Sequence, residues 1–377
     1  MMKNLIPFNR CDIQGNEINY LQQSIKKGHI SGDGLFTKKC SNLIEHELGV
    51  KKMLLTTSCT DALEMTAILL EIKPGDEIIV PSFTFVSTIN AFVLRGAKPI
   101  FVDIRKDTLN IDETKIESLI TKKTKAVIVV HYAGVGCEMD VIMDIADKHK
   151  IKVIEDNAHG LFGKYKDKYL GTFGTFATQS FHETKNFTCG EGGALLINDK
   201  KYIHRSEIIW EKGTDRSKFF RGEVDKYSWV DIGSSYLPSE ITAAFLFAQL
   251  EKKEDVQRKR KDIWTFYNQE LREWANSNNI RTPFIPIQCE QSFHMFYLIM
   301  PDQDARDNFI KYLKTNGIMA VFHYLPLHLS KKGKELGGND FDCPVTIDIS
   351  NRLVRLPFYN NLDTKNIDLN IIYDYKL

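Results

Sequence analysis

The amino-acid sequence predicts an α/β fold in which a mainly parallel sheet, covered by helices on both faces, is joined to a smaller C-terminal α+β domain. Short runs of Ile, Val and Leu alternate with segments of helical periodicity between residues 51 and 160. These runs are continuously apolar, which is typical of strands buried on both faces of a parallel sheet. A length of 377 residues exceeds what one core usually holds, so two domains are expected.

The first half of the chain supplies the regular part of this pattern. An amphipathic helix is predicted in 15–28, before a glycine-containing loop at 31–34. Because helices separate the buried strands that follow, these segments form βαβ units, whose strands run parallel. The strands are predicted in 51–55, 77–80, 98–104, 125–134 and 151–160, and the helices in 61–72, 85–97 and 139–150.

The alternation of predicted strands and helices ends after Gly160. Residues 163–181 have hairpin and strand character, and 192–199 contains another apolar run typical of a strand. A long, charged and aperiodic region occupies 211–236.

The last third of the chain predicts the second domain. A helical segment at 239–274 is expected to cross from the large domain to the small one. We predict a large domain at 1–250, with an N-terminal segment that packs across the domains, and a small domain at 251–377.

Composition and charge exclude several classes of protein. Hydrophobic residues make up 43% and charged residues 26%, and the net charge is +1, so no field attracts nucleic acid or anionic lipid. The basic run at 252–262 is interleaved with acids and is typical of a solvated helix face. Seven scattered cysteines without a CxxC pair predict neither a disulfide framework nor a metal site. The N-terminus lacks the apolar core of a signal peptide, and no apolar run approaches about 18 residues, so we expect a cytoplasmic protein without a membrane partner.

Ligands of a parallel α/β sheet bind at the carboxyl ends of its strands, so the residues after each apolar run are the candidates. After the first strand come Ser58, Cys59 and Thr60, at the start of a helix. Backbone N–H groups, the helix dipole and the two hydroxyls make this turn an anion site. A plain helix cap by Ser58 or Thr60 is the structural alternative.

Two further strand ends carry residues that suit a flat, cationic ligand. Phe83 and Phe85 enter the helix after the second strand, where an aromatic ring stacks on a ligand or joins the core. Glu155 and Asp156 end a buried strand, and because strand side chains alternate, one of them must point inward. A buried carboxylate needs a cationic partner, which is either a ligand or an arginine or lysine of the chain. His159 is a ligand contact or a loop histidine.

The stretch SFHETKNFTCGEGG adds a hydroxyl and an amine to the same region. Ser180 ends a predicted strand, and Lys185 lies close to glycines that allow close backbone approach to a ligand. Taken alone, Lys185 is a surface lysine. Taken together, a phosphate turn, an aromatic ring, a strand-end carboxylate, a second hydroxyl and a lysine meet every requirement of pyridoxal 5′-phosphate.

Longer blocks of the sequence resemble those of the DegT/DnrJ/EryC1/StrS aminotransferases, which are fold type I pyridoxal phosphate enzymes. The resemblance covers nearly the whole chain. The blocks that carry it include TTSCTDALE, PSFTFVSTINAFVLRGAKPIFVDI, EDNAHG, SFHETKNFTCGEGGALLIND, EKGTDRSKFFRG and HYLPLH.

The resemblance implies a role for each matching residue. Lys185 would hold the cofactor aldehyde and move protons, Asp156 would pair with the ring nitrogen, and Phe85 would stack on the ring. His159, where the family has Gln or His, would approach the ring hydroxyl. The phosphate would be held by Ser58, Cys59, Thr60, the Asp61 backbone and Ser180, and across a homodimer by Ser235, where many members have Asn.

Substrate contacts are implied less directly. Arg216 and Arg221 suit a pyrophosphate, because a guanidinium binds phosphate in a bidentate manner, although exposed solubilising charge is the alternative. His182 and His328 are candidate sugar contacts, with a core histidine as the alternative.

The resemblance also implies a reaction. An amino group would move from L-glutamate to the C4 keto carbon of dTDP-4-keto-6-deoxyglucose, giving dTDP-4-amino-4,6-dideoxygalactose and 2-oxoglutarate. Amination of a 3-keto dTDP-sugar is the first alternative. A sugar dehydratase is disfavoured because that branch of the family carries histidine in place of Lys185. A non-catalytic pyridoxal-dependent regulator is disfavoured by the net charge of +1.

Overall fold

The computed structural model describes residues 5–376, and strands alternate with helical segments between residues 52 and 156. The helices are α1 Glu17–Lys26, α2 Leu35–Leu48, α3 Cys59–Leu69, α4 Ser87–Val93, α5 Met139–His149, α6 Ile203–Trp210, α7 Arg216–Phe220, α8 Glu240–Leu250, α9 Lys253–Glu270, α10 Arg272–Ser277, α11 Gln303–Thr315, α12 Lys331–Glu335, α13 Pro344–Arg352 and α14 Asn370–Tyr373. The strands are β1 Lys52–Thr56, β2 Glu77–Pro81, β3 Lys98–Val102, β4 Thr124–Val130, β5 Lys152–Asp156, β6 Lys164–Tyr165, β7 Lys168–Tyr169, β8 Phe176–Ser180, β9 Gly193–Ile197, β10 Cys289–Glu290, β11 Tyr297–Ile299 and β12 Leu353–Arg355.

Seven strands form the main sheet, in the order β1-β9-β8-β5-β4-β2-β3. The pairs β2–β3, β2–β4, β4–β5 and β5–β8 are parallel, whereas β9 runs antiparallel to both β1 and β8. The predicted α/β fold with a mainly parallel sheet is therefore confirmed. The carboxyl ends of the other six strands lie at one edge, and β9 begins at that same edge.

The main sheet is buried on both faces, as its continuous apolar runs predict. In β2, Ile78 and Val80 join a core cluster with the side chains of α3, while Ile79 between them joins a cluster with Met139 and Ile142 of α5. Alternate side chains of one strand thus fill two cores.

The single helical segment predicted at 239–274 is three helices. The chain leaves helical geometry at Lys252, between the apolar α8 and the charged α9. The single residue Leu271, which keeps right-handed helical dihedral angles, separates α9 from α10. Helix α9 packs against two cores, because Val256 joins the cluster of α2 and α8 whereas Ile263 and Tyr267 join a C-terminal cluster. The aperiodic region 211–236 contains the short helix α7, which the sequence pattern did not predict.

The C-terminal part of the chain has its own core, built from α9–α11 and the antiparallel pair β11–β12. The N-terminal segment reaches it, because Ile6 bridges Ile318 and the Phe8 carbonyl accepts from the Phe358 N–H at 3.2 Å. The division of the chain at 250 and 251 stays a prediction. No helix in residues 5–376 combines the length and the apolar character needed to cross a membrane.

Candidate active site

A cleft of about 580 Å³ lies at the carboxyl edge of the main sheet. It brings together residues that follow β1, β2, β5 and β8 with residues from the C-terminal part of the chain. Nine of the residues predicted from the sequence line it, namely Ser58, Cys59, Thr60, Phe85, Asp156, His159, Ser180, His182 and Lys185.

The turn between β1 and α3 forms one end of the cleft. Ser58 is the N-cap of α3, and its Oγ accepts from the Asp61 N–H at 3.0 Å. The backbone N–H groups of Cys59 and Thr60 lie in the first helical turn, where no intrahelical acceptor exists, so they are free to bind an anion. A Cβ on Gly193 would lie 2.3 Å from the Cys59 nitrogen, so only glycine lets β9 approach this turn.

The side chains around this turn are compatible with a phosphate. Thr60 Oγ1 donates to Ser87 Oγ at 2.8 Å, which places two hydroxyls side by side at the wall of the cleft. Burial raises the pKa of the Cys59 thiol far above its usual range, so that side chain stays neutral and does not repel an anion. The Asp61 carboxylate lies outside the cleft lining and accepts from the hydroxyls of Thr57 and Ser58.

The two adjacent carboxylates at the end of β5 point to opposite faces of the sheet. Asp156 lines the cleft, where its Oδ2 accepts from Thr88 Oγ1 at 2.7 Å and its Oδ1 from the Ala158 N–H at 3.2 Å. Burial raises the pKa of Asp156, and no ion pair within the described part of the chain involves this carboxylate. A cation supplied by a ligand would therefore find an unpaired acceptor here.

Glu155 is fully buried on the other face and is satisfied by the protein itself. Its oxygens accept from the backbone N–H groups of Gly171, Phe173 and Gly174, each at 2.7 Å, and Oε2 lies 3.0 Å from His131 Nε2. This carboxylate holds the loop before β8 against β5, so its role is structural.

Replacing Glu155 by glutamine should lower the free energy of unfolding by about 3 kcal/mol, because an amide nitrogen would face backbone N–H donors in a buried site. Urea denaturation would measure this loss. The control is Glu335→Gln, since Glu335 is exposed on α12, and its free energy should stay within about 0.5 kcal/mol of the parent value. Equal stability of the two variants would contradict the structural role of Glu155.

The two phenylalanines after β2 differ in exposure and in what they contact. Phe83 is 1% exposed and belongs to a core cluster with Tyr132, whereas Phe85 is 58% exposed and lines the cleft. An exposed phenylalanine at the mouth of a cleft offers a face on which a flat ring can stack. The core interpretation therefore holds for Phe83 and not for Phe85.

Lys185 lies in the turn that follows β8 and is half-buried at the cleft wall. Within residues 5–376 its amine forms no hydrogen bond or ion pair, and only its backbone N–H is engaged, with the His182 carbonyl at 2.9 Å. Desolvation, together with the positive charge of Arg355, lowers the pKa of Lys185 from 10.5 to about 8. A lower pKa increases the fraction of free amine, which is the form that reacts with an aldehyde.

His159 forms a neutral ring pair at the bottom of the cleft. Its imidazole stacks on His294 with ring centroids 4.2 Å apart, and its Nε2 lies 3.5 Å from the Tyr324 hydroxyl. Burial lowers the pKa of both imidazoles well below the usual range, so both rings are neutral. The buried Nδ1 of His159 has no partner among the described residues and is available to a ligand.

Five predicted residues lie outside the cleft of a single chain. His328 is fully buried, and its Nδ1 lies 2.6 Å from Ser82 Oγ, which favours the alternative of a core histidine over a sugar contact. Arg216 pairs with Glu211, and Arg221 with two other acids. Arg216 and Ser235 line a second pocket, whereas Asp61 does not line the first.

Several residues of the cleft were not predicted from the sequence. Thr88 holds Asp156 through a hydroxyl of the block FVSTIN, and this contact could have been found from the helix spacing of the block. Tyr324, His294 and Arg355 come from the C-terminal part, 139, 109 and 170 positions after Lys185, and no local pattern indicates them.

Together, these residues fit pyridoxal 5′-phosphate. The free N–H groups of α3 suit its phosphate, the unpaired Asp156 suits its ring nitrogen, and the unpartnered amine of Lys185 suits its aldehyde. In the described part of the chain no group of His, Cys, Asp or Glu is placed to hold a metal ion. The fold and the site thus define a pyridoxal phosphate-dependent enzyme.

Comparison with known proteins identifies the family. The chain matches the DegT/DnrJ/EryC1/StrS aminotransferase family over residues 11–372, and it belongs to that family. It is 35% identical over 370 residues to the uncharacterized protein MJ1066 of Methanocaldococcus jannaschii, with 96% of this chain and 95% of the relative covered. It is 29% identical to the spore coat polysaccharide biosynthesis protein SpsC of Bacillus subtilis, with coverage of 96% and 94%.

A solved structure agrees with this assignment. Spr1654 of Streptococcus pneumoniae, assigned as a sugar aminotransferase and solved in its PMP form, superposes with a TM-score of 0.90 at 28% identity and 98% coverage of both chains. The same protein was also solved in a PLP form. The chain is therefore a sugar aminotransferase of fold type I that depends on pyridoxal 5′-phosphate, as the sequence predicts.

Proposed function

We propose that this enzyme transfers the amino group of L-glutamate to the C4 keto carbon of dTDP-4-keto-6-deoxyglucose, giving dTDP-4-amino-4,6-dideoxygalactose and 2-oxoglutarate. The observation that carries the transaminase chemistry is the unpartnered, half-buried Lys185 in one cleft with the unpaired Asp156. The choice of sugar and of carbon is supported by the long sequence blocks, above all EKGTDRSKFFRG and HYLPLH. A cytoplasmic location is consistent with its seven free cysteines. A role in surface polysaccharide biosynthesis is supported by the likeness to the spore coat polysaccharide biosynthesis protein SpsC.

Different residues of the cleft would bind different parts of the cofactor. Pyridoxal 5′-phosphate supplies an electrophilic carbon for the amino group and a ring that delocalises carbanion charge. Ser58, Cys59 and Thr60 would hold its phosphate through hydroxyls and first-turn N–H groups, with Ser180 at the end of β8 adding a hydroxyl. The exposed ring of Phe85 would cover one face of the cofactor, and the free Nδ1 of His159 would meet its ring hydroxyl.

Asp156 and Lys185 would perform the proton chemistry. The Asp156 carboxylate, fixed by Thr88 and Ala158, would keep a proton on the ring nitrogen, because the ion pair offsets the desolvation that raises its own pKa. In both half-reactions the Lys185 Nζ would accept a proton from one carbon and return it to another, as a general base and then an acid.

A homodimer with shared active sites would bring in the residues that one chain leaves outside. Arg216 and Ser235 line a pocket that the segment 211–236 helps to form, and this segment exposes large apolar side chains, with Trp229 at 81%. Large exposed apolar patches are typical of protein contacts. In that assembly Ser235 would reach the partner's phosphate site, Arg216 or Arg221 would meet the nucleotide pyrophosphate, and His182 at the cleft wall would contact the sugar.

The aminated carbon distinguishes the proposal from its first rival, a 3-keto sugar aminotransferase. The purified enzyme would be incubated with L-glutamate and, separately, with 3-keto and 4-keto dTDP-6-deoxyhexoses, and NMR would identify the carbon that gains nitrogen. We expect amination at C4 with stoichiometric 2-oxoglutarate. Amination at C3 would replace the proposal by its rival, and glutamate turnover with neither sugar would exclude both dTDP substrates.

A further inference from the structure

A closed network of hydrogen bonds connects the loop of Lys185 to the C-terminal part of the chain. Its four members, all buried, are Asn186, His294, Asn360 and Arg260. The Arg260 guanidinium donates to the His294 carbonyl at 2.5 Å and to Asn360 Oδ1 at 2.7 Å. The Asn360 amide donates to the Asn186 carbonyl at 3.1 Å, and Asn186 Oδ1 lies 2.9 Å from His294 Nδ1, which closes the network. A buried polar network whose members are satisfied holds its parts rigidly.

The network determines which nitrogen of His294 carries a proton. The Asn186 amide nitrogen donates to the Ser292 carbonyl at 2.7 Å. Because a carbonyl can only accept, the amide oxygen of Asn186 is the atom that faces His294, and Nδ1 of that imidazole must donate to it. Burial lowers the pKa of His294 well below its usual range, so the ring carries this single proton and is neutral. Asn186 thus fixes both the orientation and the tautomer of His294.

The segment 292–294 in turn holds His159 at two points. Ser292 Oγ donates to the His159 carbonyl, and the His294 ring stacks on the His159 ring with centroids 4.2 Å apart and planes 15° apart. Two further aromatic rings lie at 6.0 and 6.2 Å. The His159 Nδ1 has no partner among the described residues, and its Nε2 is 3.5 Å from the Tyr324 hydroxyl, a long contact. The stack on His294 is therefore the closest contact that orients the His159 imidazole.

We propose that His294 is a positioning residue for the cofactor: its ring, held by Asn186, keeps the His159 imidazole in the plane in which it meets the ring hydroxyl. This inference rests on the proposed contact between His159 and the cofactor. The aldehyde and the ring hydroxyl of pyridoxal 5′-phosphate are on neighbouring carbons. Because Asn186 directly follows Lys185, the two protein groups that would meet them are held by one rigid network. Such support from surrounding residues preorganises a site.

Two substitutions of His294 separate its ring from its hydrogen bond. His294→Asn keeps an N–H donor for Asn186 but has no ring, whereas His294→Phe keeps a ring but has no donor. The probe is pyridoxamine 5′-phosphate, which forms no covalent bond with Lys185, titrated calorimetrically into the cofactor-free protein. We expect its dissociation constant to rise about tenfold in His294→Asn, the loss of about one hydrogen bond, and to stay within about twofold of the parent value in His294→Phe.

A purely structural role predicts the opposite order. His294→Phe leaves the buried Asn186 Oδ1 without its donor, so this variant should unfold at lower urea concentration than the parent even though its folded form binds the cofactor. The matched control is His149→Asn, because His149 lies outside the cleft and pairs with Glu117. It should keep the parent affinity. Equal losses of affinity in the two His294 variants, or a loss in His294→Phe alone, would overturn the inference.

A second measurement uses no cofactor. Nitrogen NMR of the cofactor-free protein, labelled at its histidines, should show His294 protonated at Nδ1 in the parent. It should also show one fixed environment for the His159 ring in the parent and in His294→Phe, and an averaged one in His294→Asn. Parent affinity in His159→Ala would refute the proposed cofactor contact, while the spectra would still establish that His294 orients this ring. A His159 ring that stays fixed in His294→Asn would refute the positioning role itself.

Discussion

Replacing Lys185 by alanine is expected to lower the rate of transamination by about 10⁴-fold, the upper range for removal of a positioned general acid–base group. The structure gives the physical reason, because within residues 5–376 no other lysine lines the cleft. The neighbouring imidazoles are buried neutral rings that cannot form the covalent link to an aldehyde. The parent protein should absorb in the visible when loaded with cofactor, and this band should be lost in the variant.

The control for this change is Lys201→Ala, because Lys201 is an exposed lysine paired with Asp199 and lies outside the cleft. It should keep both the rate and the visible band. A small primary amine added to Lys185→Ala should restore part of the rate, which separates loss of chemistry from loss of folding. Turnover of Lys185→Ala close to the parent rate would refute the assignment of this lysine.

The parallel sheet could be predicted from the sequence, because it depends on local hydrophobic patterns. Continuous apolar runs separated by helices indicate a parallel sheet, and the structure has five such strands in the predicted order before β8. The alternation of strand side chains predicts that one of Glu155 and Asp156 faces the ligand edge. It cannot say which one, because that depends on how the loop at 171–174 closes over the far face.

What the sequence did not predict depends on contacts between distant segments. His328 was a candidate sugar contact by its place in HYLPLH, but its ring packs 6.2 Å from Phe101 and bonds to Ser82 in the large core. Arg355, conversely, lies in an ordinary strand pattern and faces the cleft only because β12 pairs with β11. The sequence also gives no signal for the break in the helix predicted at 239–274, because good helix formers continue across Glu251 and Lys252.

Replacing Asp156 by asparagine should lower the rate of transamination by about 10²- to 10³-fold, as is typical when one preorganised electrostatic group is lost. Asparagine keeps the shape of the side chain and an acceptor for Thr88 Oγ1, which donates to Asp156 at 2.7 Å. It cannot carry the negative charge that favours a protonated ring nitrogen, so carbanion charge would be less well stabilised. The rate of each half-reaction, measured in single turnovers with glutamate, reports this loss.

The adjacent position provides the matched control, since Glu155→Gln makes the same carboxylate-to-amide change on the other face of β5. Asp156→Asn should lose activity without losing stability, because a neutral amide avoids the desolvation that raises the pKa of Asp156. Glu155→Gln should lose stability while its folded fraction keeps the catalytic rate. If Asp156→Asn instead unfolds at lower denaturant and retains the parent rate, Asp156 is a structural carboxylate, and the cation that this cleft accepts must be bound elsewhere.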